Sequence, residues 1–205
     1  MCCARPSPCA VGGIFPGRLH SRGKLHEWHK VQYSIGVAGT YLLHVRLRKQ
    51  AAALPGSPFT LHVTPGAAFA LTSELPSSIL HGEVGQPCNA VLATADKMGN
   101  VCDAGGGQVT CSCPTEEVSA ACVDMGDGSY ELSWRCTTIG TYQGHIKIDG
   151  KHIVNSPVAL HFVSTLPKIS HSQLSGDGLR NAVVGEEATV VVKLIDQFQN
   201  PTVLT

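Results

Sequence analysis

The chain echoes itself at a distance of about one hundred residues, and that periodicity limits what it can fold into. Gly39-Thr40-Tyr41 followed by His44-Val45-Arg46-Leu47 recurs as Gly140-Thr141-Tyr142 followed by His145-Ile146-Lys147-Ile148, at a constant offset of 101. Ser57-Pro58 with Leu61-His62-Val63 recurs as Ser156-Pro157 with Leu160-His161-Phe162 at offset 99, so the connection between the two blocks is two residues shorter in the second copy. A further echo links the middle of the chain to its end: Val84-Gly85 and Asp96 to Asn100 return as Val184-Gly185 and Asp196 to Asn200, at offset 100. A fixed period of this size reads as a tandem array of one structural unit, of which only the middle copy is whole.

The unit is built of strands. Tyr130, Leu132 and Trp134 alternate with polar neighbours. Tyr142 with His145 to Ile148, and then Ile153 to Phe162, continue the pattern. Gly126-Asp127-Gly128 opens the first of these strands, Gly140 enters the second, and Asp149-Gly150 suits a two-residue hairpin because it tolerates positive φ. Earlier in the same unit, Phe69 to Leu71 reads as a first strand, Pro76 as a break and Cys88 to Ala95 as the second strand, ending in a polar turn at Asp96 to Asn100. Val109 to Cys113 and Val118 to Val123 read as the third and fourth. Registration against the last copy aligns Ala93 with Lys193, which belongs in water. Ala90 and Leu92, like Val190 and Val192, therefore face the core. Seven short strands at this spacing predict an immunoglobulin-like sandwich.

An Asp-Gly-Ser-Tyr strand, a Gly-x-Tyr strand and a Ser-Pro closing strand, in that order, resemble the immunoglobulin-like repeat of filamin. The closing motif typical of that family, Gly-Ser-Pro-Phe, stands intact at Gly56-Ser57-Pro58-Phe59 and has drifted to Asn155-Ser156-Pro157-Val158 in the whole copy. Ser175-Gly176-Asp177-Gly178-Leu179 resembles the family's Gly-Gly-Leu opening. The resemblance covers residues 28 to 205 and implies an all-β chain of tandem filamin-type immunoglobulin-like β-sandwich repeats, one complete and two partial. The expected domains are an unassigned, disordered leader at 1–27, the C-terminal half of a repeat at 28–65, a complete repeat at 66–164 and the N-terminal half of a further repeat at 165–205. In the first half-repeat, Val31 and Tyr33 stand where Leu132 and Trp134 stand in the whole one. A half sandwich cannot bury its inner face, so such a segment should be unstable alone or borrow a partner.

Composition narrows function mainly by exclusion. Fifteen basic residues balance fifteen acidic ones and no basic run occurs, which argues against a nucleic-acid partner. No apolar run approaches the length of a membrane span, and Met1 to Gly13 lacks the apolar stretch of a signal peptide. That leader reads as disordered or as the product of a misplaced start; Cys2-Cys3 as a lipidation site lacks the flanking residues such motifs use. No nucleophile elbow, Walker loop, His-Glu-x-x-His or CxxC pair is present, so no enzyme and no cofactor are expected. Asp124 to Gly128 lacks the later acidic ligands of a calcium loop and reads as a turn.

Cys88, Cys102, Cys111, Cys113, Cys122 and Cys136 all fall in the complete copy. Three readings stand side by side: thiols packed as small hydrophobes, disulfides, and a metal site built from Cys111 and Cys113 on one strand face with Cys122 across the sheet. The absence of an Asn-x-Ser/Thr sequon leans toward a reducing compartment. His44 and His145 share one repeat position and His62 and His161 another, which suggests structural roles on the sandwich face rather than an active site.

What carries function is an edge. The sandwich topology ends one sheet at the third strand and the other at the fourth, leaving a groove between them. The resemblance to filamin implies that an extended peptide adds there as a further strand. The site so implied comprises Gly107, Gln108, Val109, Thr110, Cys111, Ser112 and Cys113, with Ala120 and Cys122 lining the groove. Ala104-Gly105-Gly106-Gly107 removes side chains beside the edge, and Ala120, Ala121 and Cys122 are small. On this reading Thr110→Pro should delete an edge donor and abolish binding. The function implied is a non-enzymatic spacer and scaffold that binds protein partners through extended peptides, in a cytoplasmic, cytoskeletal setting, with actin contacted only by regions outside these residues. The alternatives are a cell-surface adhesion ectodomain built from the same repeats, with oxidised cysteines, and the accessory repeats of a larger enzyme such as a ubiquitin ligase.

Overall fold

The computed structural model describes residues 18–20, 30–46 and 53–202. Of the disordered leader expected at 1–27, residues 1–17 and 21–27 lie outside them, the lipidation reading of Cys2-Cys3 included, whereas Arg18–His20 is a strand rather than disordered chain. Among the described residues the fold is all-β, with two short 3-10 turns at Ala70–Thr72 and Asp177–Leu179. The chain divides into two compact units, residues 1–66 and 67–205.

In the first unit, β1 (Arg18–His20) pairs antiparallel with β2 (Lys30–Gln32), and β3 (Gly39–Leu43) with β4 (Phe59–Val63). Alternation sorts β4 as expected: Leu61 and Val63 are half-buried while Phe59, Thr60 and His62 are exposed. Tyr33 is 45% exposed and Phe59 48%. None of the described side chains in this unit is buried.

In the second unit the sandwich closes. One sheet runs β6 (Cys88–Ala93), β9 (Ser129–Arg135), β8 (Ser119–Asp124), all antiparallel. In the other, β5 (Ile79–Glu83) pairs in parallel with β12 (Val158–Val163), and β12 pairs antiparallel with the first half of β10 (Gly140–Ile148). The second half of β10 is flanked by β7 (Val109–Ser112) on one side and β11 (Lys151–His152) on the other. A single strand thus serves two sets of neighbours. Asp149 and Gly150, at φ of 49° and 75°, make the tight β10–β11 turn.

The inner faces meet over Leu92, Leu132, Trp134, Ile146, Ile148, Val158 and Leu160, none more than 1% exposed. Trp134 is their centre. Its ring lies so close over Gly144 that a Cβ there would come within 3.2 Å of it, and within 3.0 Å of Val158. As the alignment required, Leu92 faces inward and Ala93 outward.

Two expected strands are redrawn. Phe69 to Leu71 is not a strand: it follows an isolated bridge between Ala68 and Asp96 and enters a 3-10 turn, and the parallel strand of the unit comes later, at β5. Ile153 to Pro157 does not extend β12; it is a turn in which Ser156 Oγ accepts the Ile146 N–H at 2.8 Å, standing in for a ladder partner. The equivalent contact, Val45 N–H to Ser57 Oγ at 2.9 Å, occurs in the first unit. Both Ser-Pro bonds are cis.

Residues 165–202 pack on the end of the closed sandwich and add one hairpin, β13 (Gln173–Ser175) with β14 (Val191–Lys193). Val190 and Val192, expected on a core face, are 44% and 55% exposed. No second sheet covers them among the described residues. Val84 is fully buried, whereas its echo Val184 is wholly exposed. Removing the central indole should show how much the closed sandwich depends on it: Trp134→Ala is expected to lower unfolding stability by about 3–5 kcal/mol, read from the shift in urea midpoint.

Candidate functional site

Among the described residues, β7 pairs only with β10 and β8 only with β9, so each ends its own sheet and the two edges face one another. The expected edge is therefore an edge in the fold. Val109, Cys111 and Cys113 turn half-buried toward the groove, with Ala120 and Cys122 opposite, and all five pack against the core. Gln108, Thr110 and Ser112 point to solvent. The edges touch at Cys111, whose Sγ donates to the Ala121 carbonyl at 3.0 Å.

The ladder corrects which main-chain groups are open. Asp149 donates its N–H to the Gln108 carbonyl at 3.0 Å, one step beyond the Val109–Ile148 pair. Antiparallel alternation then turns Gln108, Thr110 and Ser112 toward β10 and Val109, Cys111 and Cys113 toward the open side. Thr110→Pro would thus break the native sheet rather than the edge. Val109 already donates to the Gly107 carbonyl at 3.0 Å, which leaves Cys111 and Cys113 to present N–H groups outward.

Gly107 belongs to a different contact. Its N–H donates to the Tyr130 hydroxyl at 2.8 Å, and that hydroxyl donates back to the Gly107 carbonyl at 3.2 Å. The glycines before it are there for Asp124. This carboxylate accepts the Gly106 N–H at 2.7 Å and the Gly126 N–H at 2.8 Å, and a Cβ on Gly105 would sit 2.2 Å from its oxygen. The run read as clearing space beside the edge serves instead to bring a carboxylate against the backbone. Asp124 and Tyr130 were not among the expected site residues, although both lie in the Asp-Met-Gly-Asp-Gly-Ser-Tyr motif that marks the strand. The Asp127 side chain accepts the Ser129 N–H at 3.0 Å, so the acidic residues of this loop serve turn geometry.

Cys88, Cys111, Cys113, Cys122 and Cys136 are free thiols, and no group of three metal-ligating side chains occurs among the described residues. Burial, reinforced by the neighbouring Cys122, pushes the Cys111 thiol up to about 11; burial raises Cys122 as well. Both stay protonated at neutral pH, which suits packing and weak donation rather than nucleophilic chemistry. The repeated histidines behave alike: His62 Nδ1 pairs with Thr40 Oγ1 at 3.1 Å and His161 Nδ1 with Thr141 Oγ1 at 3.2 Å. Tyr41 and Tyr142 likewise donate to Val37 and Thr138 carbonyls at 2.8 and 3.0 Å.

Residues 71–159 match the Filamin/ABP280 repeat profile. They form a filamin repeat. Filamin-A of Drosophila melanogaster is 25% identical over 182 residues, covering 87% of this chain, and the chain spans 8% of that relative's length. Among solved structures, the Escherichia coli adhesin FdeC matches with a TM-score of 0.57 at 17% identity, over 79% of this chain and 52% of that one. InvD of Yersinia pseudotuberculosis matches at 0.54 and 14% identity, over 91% and 59%. These last two likenesses concern the sandwich fold. The filamin repeat is a non-enzymatic domain family, and residues 71–159 carry its match. Among the described residues no helix is long and apolar enough to cross a membrane.

The hydrogen bonds from Gly106, then Gly126, hold the Asp124 carboxyl below the usual carboxylate range. A carboxyl lowered in the fold favours the folded loop above its unfolded pKa, about 3.9, and loses that contribution as pH falls through the lower folded value. Acidification through that lower folded value, or Asp124→Ala at neutral pH, should therefore free the Gly106 amide. Its hydrogen exchange measured by NMR should accelerate relative to amides of β9.

Proposed function

We propose that the filamin repeat at the centre of this chain is a peptide-binding module. An extended segment of a partner protein adds antiparallel or parallel to β7, taking the outward main-chain groups of Cys111 and Cys113, while alternate side chains enter the groove between β7 and β8. The observation that carries this reading is the unpaired side of β7 beside small groove residues: Cys111, Cys113, Ala120 and Cys122 leave room that larger side chains would fill. The Cys111 thiol, bridging to Ala121, is a weak donor that a peptide can displace. The partner is a protein presenting a strand with small or aliphatic residues at alternate positions. Its charge is not prescribed, since the groove positions are uncharged.

The setting we favour is cytoskeletal. The relative with the higher sequence identity is a filamin, and free thiols are the ordinary state of cysteine in a reducing compartment. The chain would then act as one length of spacer, with any actin contact made elsewhere in a longer protein. The likeness to bacterial adhesins, at 17% identity or less, supports the sandwich and leaves the cell-surface setting as the second reading.

A peptide selected against the 205-residue chain from a random library provides the test. Cys111→Pro removes the outward N–H and should weaken binding at least about tenfold, whereas Cys111→Ala keeps it and should bind as the parent does. Trp134 fluorescence checks that both variants are folded. Equal binding by the folded Pro variant would sink the proposal, as would a selected peptide that leaves the Cys111 and Cys113 amide resonances unmoved.

A further inference from the structure

The Asp96–Asn100 and Asp196–Asn200 loops echo one another, and the second is more than a turn. Asp196, fully buried, accepts the N–H groups of Phe198 and Asn200 at 2.8 Å each on one oxygen and the Thr165 N–H at 3.3 Å on the other. Burial raises the carboxyl, and these bonds, led by Asn200, more than offset it, so it stays ionised. Asp196 thereby fixes the direction of two side chains that leave the loop. Asn200, 5% exposed, donates Nδ2 to the Thr137 carbonyl at 2.8 Å and accepts the Ile139 N–H on Oδ1 at 3.1 Å. Phe198 packs against the core of the filamin repeat. Its ring stands where a Cβ of Gly85 would be, 2.2 Å away, so residue 85 has to be glycine for the ring to seat. Gly85 in turn donates its N–H to the Cys136 carbonyl at 2.7 Å, tying the two halves of the receiving surface together.

We propose that the Asp196–Asn200 loop is a docking key and that the Gly85 turn with the Thr137–Ile139 loop is its lock, so that the segment beginning near Leu166, which we read as the next repeat, is held on the filamin repeat at a set angle rather than tethered by its linker. The partner this surface takes is a repeat carrying an Asp-x-Phe-x-Asn loop. Asparagine suits the position because its amide satisfies a carbonyl and an N–H together, and the aromatic ring supplies the apolar contact. The linker alone would not set an angle: its bonds, Thr165 N–H to Asp196 at 3.3 Å, the Thr202 hydroxyl to the Thr165 carbonyl at 3.0 Å and Lys168 N–H to the Ile195 carbonyl at 2.8 Å, all run to the segment that follows, and it borders an open cleft lined by Glu83, Leu166, Lys168 and Gln197. The same internal scaffold recurs in the filamin repeat itself, where Asp96 accepts the Met98 and Asn100 N–H groups at 2.8 and 2.9 Å. The key is thus a property of the repeat, with residue 198 or its counterpart setting the size of the plug.

The 205-residue chain tests this by NMR. In the parent, the Ile139 amide should be protected from exchange, and ¹⁵N relaxation should report one rotational diffusion for residues 67–164 and 168–202. Asn200→Ala should speed Ile139 exchange about tenfold, with the Ile146 and Leu160 amides unchanged. The Asn200→Ala, Phe198→Ala pair should also separate the two tumbling times. Gln199→Ala, which alters a side chain that meets His171 instead, should change neither. An unprotected Ile139 in the parent, independent tumbling in the parent, or unchanged exchange in both the single and paired variants would each overturn the proposal. Loss of core protection in Asn200→Ala would assign the residue to the fold of the repeat and overturn it equally.

Discussion

A two-layer sheet structure is stable only when each inner face is covered by the other, and here that closure rests on Trp134. The indole projects from the middle strand of one sheet onto Gly144 of the other, at the point where β10 changes neighbours from β12 to β7 and β11. A larger residue at 144 would hold the sheets apart. The consequence is visible in the echoes. Leu160 is fully buried where its counterpart Leu61 is half-exposed, and Val84 is fully buried where Val184 is bare. The same residue types with the same alternation give a core in one place and open faces in the others, because alternation specifies which side a residue faces and only a second sheet makes that side an interior.

Closing the sandwich also creates the edges. Strands β7 and β8 lie at the borders of different sheets, and among the described residues neither pairs with a strand beyond it, so main-chain groups on the outer side of β7 face outward. Natural sheets commonly guard such borders with charge, proline or a covering loop. This one is guarded lightly, by a thiol reaching one carbonyl. The neighbouring loop has been drawn the other way, pinned to Asp124 and Tyr130, which fixes the start of β7 without covering its length. The border is firm in position and open in hydrogen bonding, the combination that strand addition needs.

Much of this was legible in the residues, and the limits were physical. Strands β9, β10 and β12 could be read because alternation, turn glycines and the echo at 101 and 99 all agreed. The segment Phe69 to Leu71 misled because three apolar residues satisfy a strand pattern and a 3-10 turn equally, while the true parallel strand, Ile-Leu-His-Gly-Glu, carries a glycine and little β-branching. The edge residues were legible as a set, but their hydrogen-bonding parity was not. Side chains and main-chain groups both alternate with period two, and only an observed bond, Asp149 to Gln108, sets the phase between strands. Gly105 was visible as a missing side chain, and what fills the space it leaves, the Asp124 carboxylate, lay nineteen residues away.

The loop at Asp196 to Asn200 shows how a repeat can make its own linker irrelevant. A flexible connection of a few residues leaves the angle between two bodies free, and two or three directed contacts remove that freedom because each restrains a different axis. Asn200 restrains position through a bidentate bond to main-chain groups, which are present whatever the side chains at 137 and 139 become. Phe198 restrains tilt by insertion over a glycine. A contact made to backbone survives drift in the receiving sequence, as the closing motif at Asn155 to Val158 has drifted while keeping its register. If β7 takes a peptide strand as proposed, a fixed junction would give that strand a defined direction relative to the neighbouring segment, and the two proposals would serve one requirement.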